Sequence, residues 1–435
     1  MSIYDELLKD VEIPAFYRVR QCLDKVQISD VAGETRACLR RSRVLEQIKP
    51  GSRIAVTAGS REIANYALIL KVLCDELKTA GARPFIIPAM GSHGGAVAEN
   101  QTALIAHFGI TEADMEVPIK SSMETVCLGA TPDGIPVYFD KFASEADGII
   151  PVGRIKIHTC FRGEIESGVM KMLAVGCGKQ KGAAALHARG FENMSRNVTE
   201  IARVALKNLP VLFGVGITEN AVHQTRGIHV MPAQEIEARE KEILAGSRQN
   251  APKISFYKVD VLIVNEMGKN ISGTGMDPNI TGRSSPLGTF APFVERLAVL
   301  DLTEASEGSA YGVGNADVIT RRLFSKIIME NTYPNGITNR DGKPMMIPPV
   351  MPDDRTAVCF ALGTLTGKAA EGQPRIVWLK NTLCLEEFYI SESLYGEAAR
   401  SESIAEINGP LEAVFESEGK VTYKVIANKR EEPRR

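Results

Sequence analysis

The sequence has 435 residues, which is enough for two or three domains at roughly 150 residues each. Its 51 basic and 53 acidic residues give a formal net charge of −2, so it lacks the strongly basic surface of a nucleic-acid-binding protein. Hydrophobic residues make up 44% of the chain and charged residues 24%, proportions typical of a globular rather than a disordered protein.

Membrane, secretory and disulfide features are also absent from the sequence. It contains no run of about 18 apolar residues, so we expect no transmembrane helix and no association with membranes. The N-terminus, MSIYDELLKDVEIP, is acidic and lacks the apolar segment of a secretory signal. The eight cysteines are far apart and include no CxxC pair, so neither a zinc ribbon nor a disulfide framework is indicated. We therefore expect free thiols and a cytoplasmic location.

The first clear elements form a repeated strand–loop–helix pattern. Arg53–Val56 is predicted to be a strand, followed by a turn and by a helix that starts at Arg61 with Ser60 as its N-cap. A second strand at 84–88 precedes a glycine-rich loop and a helix that ends near His107. This alternation predicts a parallel, doubly wound sheet.

The pattern continues through the rest of the chain. Residues 168–187 are predicted to be mostly helical, with a break at Gly176–Gly178, and 233–246 form a charged amphipathic helix. The tail, 429–435, is expected to be frayed. Strands are predicted at 148–152, 211–217, 259–264, 298–302, 358–362 and 376–379.

The polar stretch Ser247–Pro252 is the preferred domain boundary. We predict an N-terminal α/β domain at 1–250 that carries the site, and a C-terminal α/β domain at 251–395 that closes a cleft. Residues 396–435 form a last segment, expected to pack back on the first domain. The predicted fold class is α/β, with two α/β domains, mainly parallel doubly wound sheets and a cleft between them.

Ligands of open α/β sheets bind beyond the carboxyl ends of the strands, which selects the loops 57–61, 90–95 and 154–168. Two of the six histidines, His93 and His158, follow predicted strands, and a near-neutral pKa suits histidine for acid–base work. The simpler alternative is a loop histidine bonded to backbone or water. Arg61 has the bidentate guanidinium that clamps a carboxylate, or is an ordinary surface arginine.

Two further features, which follow the last of these loops, are weak signals. The stretch 176–182, GCGKQKG, is not the GxxxxGK[ST] phosphate loop, and no strand directly precedes it. Cys177 within it has no evident base partner, so a buried, inert thiol is the more natural interpretation.

Taken together, the loop residues resemble the nickel-dependent lactate racemase family. That family has an arginine at a strand end and a Gly-x-His loop some thirty residues on, matched here by Arg61 and Gly91-Ser92-His93. A second histidine follows about 65 residues later, matched by His158. A lysine in a Ser-Gly-rich helix start is matched by Lys171, and a histidine sixteen residues beyond it by His187.

The resemblance implies a nickel-pincer nucleotide as cofactor, tethered to Lys171 through a thioamide and bound at nickel by His187. It further implies a racemase or epimerase that inverts the 2-carbon of a 2-hydroxy acid by reversible hydride transfer to this cofactor. His93 and His158 are the implied acid–base pair. The implied partners are a small 2-hydroxy acid and the proteins that mature the cofactor.

Substrate contacts in this family include the strand-end arginine, here Arg61, and a lysine early in the second domain, here best matched by Lys269. The chain departs from the family pattern at Thr57–Ser60 and at Thr159–Glu166, so lactate itself is not the expected substrate. A polar loop that contains Asp277 and Asn279, followed by Arg283, suits a sugar acid or another polar hydroxy acid, or is a plain turn-rich loop.

Two other classes of function stay open at this point. His93 and His158 with Glu164 or Glu166 are the residue types of a mononuclear metal-dependent hydrolase or lyase site. A non-catalytic nucleotide-binding protein is the third possibility.

Overall fold

The computed structural model describes residues 3–367, 369, 372–416 and 421–425. The chain forms two compact units. We call Asp24–Ala251 the N-terminal unit, and Met1–Leu23 together with Pro252–Arg435 the C-terminal unit. The predicted division after residue 250 and the observed one fall at nearly the same point, but the first 23 residues belong with the C-terminal unit.

The N-terminal unit contains two small sheets and a hairpin. One sheet is parallel and has the strand order Arg83–Pro88, Arg53–Ala58, Gly148–Ile150. The other has the order Val152–Arg154, Phe213–Glu219, Thr225–Pro232, in which the first pair is parallel and the second antiparallel. The hairpin joins Thr125–Ala130 and Pro136–Asp140.

The parallel sheet is covered on both faces, as such sheets require. Ile54 and Val56 enter one core, while Ala55 and Phe85 point to the other. The helices that supply this cover are Val31–Ser42, Tyr66–Thr79, Ala98–His107, Glu112–Met115, Lys141–Ser144, Val169–Lys171, Lys179–His187, Met194–Asn208 and Ile236–Gln249.

Two predicted boundaries in this unit were wrong. The segment 148–152 is not one strand, because Pro151 separates two strands that belong to different sheets. The helix predicted from Arg61 begins instead at Tyr66. Tertiary hydrogen bonds hold the preceding residues as a loop: the Gly59 N–H donates to the Tyr66 hydroxyl at 2.8 Å, and the Ala64 N–H donates to Glu219 at 2.9 Å. Arg61 therefore lies in a loop and not in a helical turn.

The C-terminal unit is built on one mixed sheet. Its described strands follow the order Val350–Met351, Val318–Thr320, Phe293–Val299, Lys258–Val264, Ile376–Leu379, Glu387–Ser391, Phe16–Gln21, Ile404–Phe415, Val421–Val425. The first five are parallel and the remaining pairs are antiparallel, so the predicted parallel arrangement holds for one part of the sheet. The strand 404–415, from the segment expected to return to the first domain, pairs here with Phe16–Gln21.

The helices of this unit include one that we predicted as a strand. The run 358–362 lies in the helix Asp354–Gly363, whose N-cap Asp353 accepts the Thr356 N–H at 2.7 Å. A short buried apolar run fits either element, and here the acidic cap favours the helix. The other α-helices given for the described residues of this unit are Ile3–Leu7, Pro278–Thr281, Arg321–Ser325, Met329–Asn339 and Glu392–Ala398. A two-residue ribbon pairs Arg283–Ser284 with Gly288–Thr289.

Three other expectations concern the whole chain. The eight cysteines are free thiols. The tail 429–435 lies outside the described residues. Within the ranges that the structure describes, no helix is long and apolar enough to cross a membrane.

A fully buried ion pair joins the hairpin of the N-terminal unit to the helix Lys179–His187. Lys179 Nζ lies 2.9 Å from Asp140 Oδ2, and both side chains are fully buried. We expect Asp140→Asn to lower the free energy of unfolding by about 3–5 kcal/mol, because it leaves a buried ammonium without its counter-ion. Denaturant unfolding measures this. The control Glu124→Gln, which breaks the exposed Glu124–Lys141 pair, should cost about 1 kcal/mol or less. Equal effects of the two substitutions would contradict the prediction.

Candidate active site

Lys171 and His187 lie on one run of helical turns. Lys171 ends the helix Val169–Lys171, a π-helical turn occupies Met172–Gly176, and His187 ends the helix Lys179–His187. Single π-helical turns are rare and are frequent at functional sites. This run confirms the predicted helical stretch with a break near Gly176.

The Lys171 amine contacts the imidazole of His158. Lys171 Nζ lies 2.5 Å from His158 Nε2. The other ring nitrogen, Nδ1, accepts a hydrogen bond from the Cys160 backbone N–H at 3.0 Å. The Phe161 ring stacks on the imidazole with ring centroids 4.1 Å apart. Both ring nitrogens and one ring face of His158 are therefore fixed by neighbours.

A buried carboxylate organises the loop that carries His158. Glu166 is fully buried and accepts the His158 backbone N–H at 2.6 Å and the Gly163 N–H at 3.1 Å. Arg248 donates to the same carboxylate at 2.6 Å. Glu166 thus stabilises the conformation of the loop, and its oxygens accept hydrogen bonds from groups of the protein.

The surroundings of His158 and Lys171 are electrostatically positive. Burial, followed by the charges of Lys171, Lys156, Arg162 and His187, holds the pKa of His158 well below its usual range. Burial likewise lowers the pKa of Lys171 to about 8. Removing a cation from water favours its neutral form, and neighbouring positive charges add to that effect.

Arg61 belongs to the same electrostatic neighbourhood. Its charge is one of those that lower the pKa of Lys171. Burial of the guanidinium and the nearby charge of Arg154 lower the pKa of Arg61 itself, although a large part of its surface is accessible. Arg154 is neutralised by Glu219, at 2.6 Å, whereas Arg61 is the more accessible cation for an incoming anion.

His187 is half-buried in the last turn of its helix, and its ring lies 5.7 Å from that of Phe191. Its charge contributes to the lowered pKa of His158, so the two imidazoles are close enough to interact. The structure therefore brings Arg61, His158, Lys171 and His187 into one region, and helix geometry alone does not explain this grouping.

His93 is held by a separate loop. It is exposed, and its Nδ1 lies 2.8 Å from the Met90 carbonyl oxygen, an acceptor. The ring therefore donates from Nδ1, and Nε2 is the nitrogen that accepts a proton in the neutral ring. The buried Gln101 amide donates to the carbonyl oxygens of Gly91 and His93 at 3.0 and 2.9 Å, which fixes the loop. The acid–base role of His93 stays a prediction.

The remaining predicted contacts lie in the C-terminal unit. Lys269 follows the strand Lys258–Val264, and its backbone N–H donates to Ser306 at 2.8 Å. Asp277 caps the turn Pro278–Thr281. The Arg283 guanidinium binds Asp317 at 2.5 Å and also donates to backbone carbonyl groups. Asp277 and Arg283 therefore stabilise the local structure. The role of Lys269 stays a prediction.

The sequence reasoning missed Glu240. This fully buried residue accepts the Met170 N–H at 3.0 Å, and burial raises its pKa to about 7. It thereby anchors the backbone next to Lys171. A signal was present: Ile236, Glu240 and Leu244 recur at four-residue spacing on the buried face of their helix, where a carboxylate is unusual.

The geometry disfavours a mononuclear site made of protein ligands alone. No group of three or more His, Cys, Asp or Glu side chains suited to a metal occurs among the residues that the structure describes. Glu164 is exposed and pairs with Lys241 at 2.9 Å. Glu166 accepts hydrogen bonds from backbone N–H groups of its own loop. A phosphate loop at 176–182 is also disfavoured, because Lys179 is buried against Asp140. Burial raises the pKa of the Cys177 thiol, as expected of an inert cysteine.

Comparison with known proteins gives one family match. Residues 23–199 match the family described as lactate racemase N-terminal domain. Among solved structures, the lactate racemase apoprotein from Thermoanaerobacterium thermosaccharolyticum is similar, with 15% identity, a TM-score of 0.46, and coverage of 70% of this chain and 73% of that chain. No curated protein matches.

The match confirms the family resemblance inferred from the sequence. The matched segment includes Arg61, His93, His158, Lys171 and His187. Lys269 lies beyond it, so the match gives no support to that assignment.

Proposed function

Because this chain carries a lactate racemase N-terminal domain at residues 23–199, we propose that it is a nickel-dependent racemase or epimerase that inverts the 2-carbon of a 2-hydroxy acid. The observation that carries the proposal is the grouping of Arg61, His158, Lys171 and His187 within the matched segment. The grouping supplies a cation for a carboxylate, an acid–base group, a nucleophilic amine and an imidazole ligand.

The residues present fit a nickel-pincer nucleotide. Lys171 contacts an imidazole rather than a carboxylate, which suits an amine that becomes an amide-type nitrogen. His187 is half-buried nearby and has the donor type that nickel accepts. The cationic side chains of Arg61 and Lys156 suit the phosphate and carboxylate groups that would enter the site. When bound, such a cofactor would supply reversible hydride chemistry at the 2-carbon of the substrate.

The protein itself binds the substrate, orients it and moves one proton. Arg61 binds the carboxylate of the substrate and keeps it fixed while the 2-carbon changes configuration. His158 takes the hydroxyl proton on one face and gives it back, and we assign the same task on the opposite face to His93.

The isotope content of the product tests this function. Protein produced together with the cofactor-maturation proteins is incubated in D₂O with a single enantiomer of a 2-hydroxy acid. We expect inversion with little deuterium at the 2-carbon, because a hydrogen that moves as hydride does not exchange with solvent. Mass spectrometry of the product measures this.

The matched control uses 2-deuterated substrate in H₂O, where the deuterium should be retained. Inversion with one deuterium per product molecule in D₂O would instead mean that the histidines remove the 2-hydrogen as a proton. A chain that binds the nucleotide but turns over no hydroxy acid would be a binding protein, and the proposal would fail.

A further inference from the structure

The loop that carries Arg61, residues 59–65, is tied to two strand ends of the N-terminal unit. One strand ends at Glu219 and the next begins at Thr225, and these two residues are paired in the sheet. The Ala64 N–H donates to the Glu219 carboxylate at 2.9 Å, and the Ala64 carbonyl oxygen accepts the Thr225 hydroxyl at 3.0 Å. Both backbone polar groups of Ala64 are therefore bound, which fixes the Arg61 loop next to Glu219.

Glu219 also forms an ion pair with Arg154. Arg154 Nη1 lies 2.6 Å from Glu219 Oε2, and the two side chains are 18% and 8% exposed. His223 Nδ1 lies 3.9 Å from the same oxygen. Burial acts to raise the pKa of Glu219, but its hydrogen-bond and charge partners lower it to about 2. The carboxylate is therefore ionised at neutral pH and cancels the charge of Arg154.

The guanidinium groups of Arg154 and Arg61 are neighbours. The Val152 N–H donates to the Thr57 hydroxyl at 2.9 Å, so the strand that ends at Arg154 runs beside the strand that leads into the Arg61 loop. After burial, the charge of Arg154 is the cause that lowers the pKa of Arg61. Within the described part of the chain, no carboxylate forms an ion pair with Arg61. One guanidinium of the two thus has a counter-ion, and the other does not.

We propose that Glu219 is a specificity-determining residue which, by neutralising Arg154, leaves Arg61 to bind the substrate alone and makes the site select 2-hydroxy acids with one carboxylate over 2-hydroxy dicarboxylates. Glu219 acts through Arg154 and need not touch the substrate. The class of substrate, a 2-hydroxy acid, rests on the proposed function, whereas the arrangement of the three charges does not.

The selection follows from the cost of removing a carboxylate from water without a partner. In a dicarboxylate such as malate, the first carboxylate occupies Arg61. The second finds Arg154 already bound by Glu219, whose negative charge repels it. Hydroxyl groups carry no such charge, so a sugar acid with a single carboxylate is accepted by the same arrangement.

Three variants change the local charge in steps. Glu219→Gln leaves Arg154 as an unpaired cation, while the amide oxygen of glutamine still accepts the Ala64 N–H. Arg154→Gln leaves the carboxylate of Glu219 as an unpaired anion. The double variant carries neither charge, so its sum equals that of the wild-type pair.

The binding test uses the full-length cofactor-free protein and two probes, malate and malate 4-monoamide, in which the distal carboxylate is replaced by a neutral amide of similar shape. Phenylglyoxal labels arginine side chains, and peptide mass spectrometry gives the concentration of each probe that halves the labelling of Arg61. In the wild type we expect the monoamide to protect Arg61 at a lower concentration than malate does.

The ratio of these two concentrations is the measure of specificity. We expect Glu219→Gln to shift it about tenfold in favour of malate, because a released guanidinium gives the second carboxylate a charged hydrogen-bond partner. Arg154→Gln should shift it in the opposite direction, and the double variant should return it to the wild-type value. In the enzyme loaded with its cofactor, the ratio of kcat/KM for the two compounds should follow the same order.

Thr225→Val is the matched control, because it removes a hydrogen bond to the Arg61 loop and leaves the ion pair of Glu219 intact. Its ratio should equal that of the wild type. The proposal fails if malate protects wild-type Arg61 better than the monoamide, if neither probe protects it, or if either single variant leaves the ratio unchanged. Shifts of the same sign in both single variants would mean damage to the loop and would also overturn it. The labelling needs neither nickel nor turnover, so its failure is distinguishable from failure of the racemase proposal.

Discussion

Lys171→Ala is expected to abolish the covalent attachment of the cofactor completely. The amine that contacts His158 is the nitrogen that would form the thioamide, and alanine supplies no nitrogen at this position. Intact-mass measurement of protein produced together with the maturation proteins checks this, and the mass should equal that of the unmodified polypeptide. Activity with 2-hydroxy acids should disappear with the adduct.

The exposed Lys181 provides the control. Lys181→Ala should retain the full adduct, because this side chain lies on the outer surface of the helix Lys179–His187. The free energy of unfolding of Lys171→Ala should change by about 1 kcal/mol at most, since the half-buried side chain has one hydrogen-bond partner. An adduct that persists in Lys171→Ala would show that another residue forms the attachment.

His187→Ala is expected to remove nickel while the adduct on Lys171 remains. An imidazole is a good nickel ligand, and loss of a direct ligand should weaken retention by at least about tenfold, since even outer-shell partners of metal ligands contribute that much. Metal analysis after dialysis against a chelator measures the nickel, and intact mass measures the adduct. Because the two readouts are separate, a ligand is distinguished from a tether.

The control for this substitution is His107→Ala. His107 also ends a helix, Ala98–His107, but is exposed there and lies outside the group formed by Lys171 and His158. Nickel content should be unchanged in that variant. Full nickel occupancy in His187→Ala would mean that His187 is not the ligand.

The sequence by itself determined most of the buried strands and the family resemblance. Strands such as Arg53–Ala58 and Lys258–Val264 are runs of apolar residues with buried surroundings on both faces, and this pattern is local. The spacing of Arg61, His93, His158, Lys171 and His187 is also a property of the sequence alone, and the family match over 23–199 includes all five. The contacts of each residue, in contrast, involve residues that are distant in the sequence.

The tertiary structure decided which residues act together. Arg61 was predicted to start a helix, but it lies in a loop in which the Ala64 N–H donates to the distant Glu219. The run 358–362 has the composition of a strand, and packing with an N-cap makes it a helix. Glu166, considered as a metal ligand, instead binds backbone N–H groups and Arg248, because a buried carboxylate must satisfy its oxygens within the protein.

The contact between Lys171 and His158 could not be predicted from their spacing of thirteen residues, since a loop, a π-helical turn and a buried glutamate determine it. The pKa of Lys171 is likewise set by its surroundings. Burial, together with the charges of Arg61 and Lys156, lowers it to about 8, below that of a lysine in water. The sequence thus determined which chemical groups are available, and the tertiary structure shifted their pKa values, because burial and neighbouring charges come from residues distant in the chain.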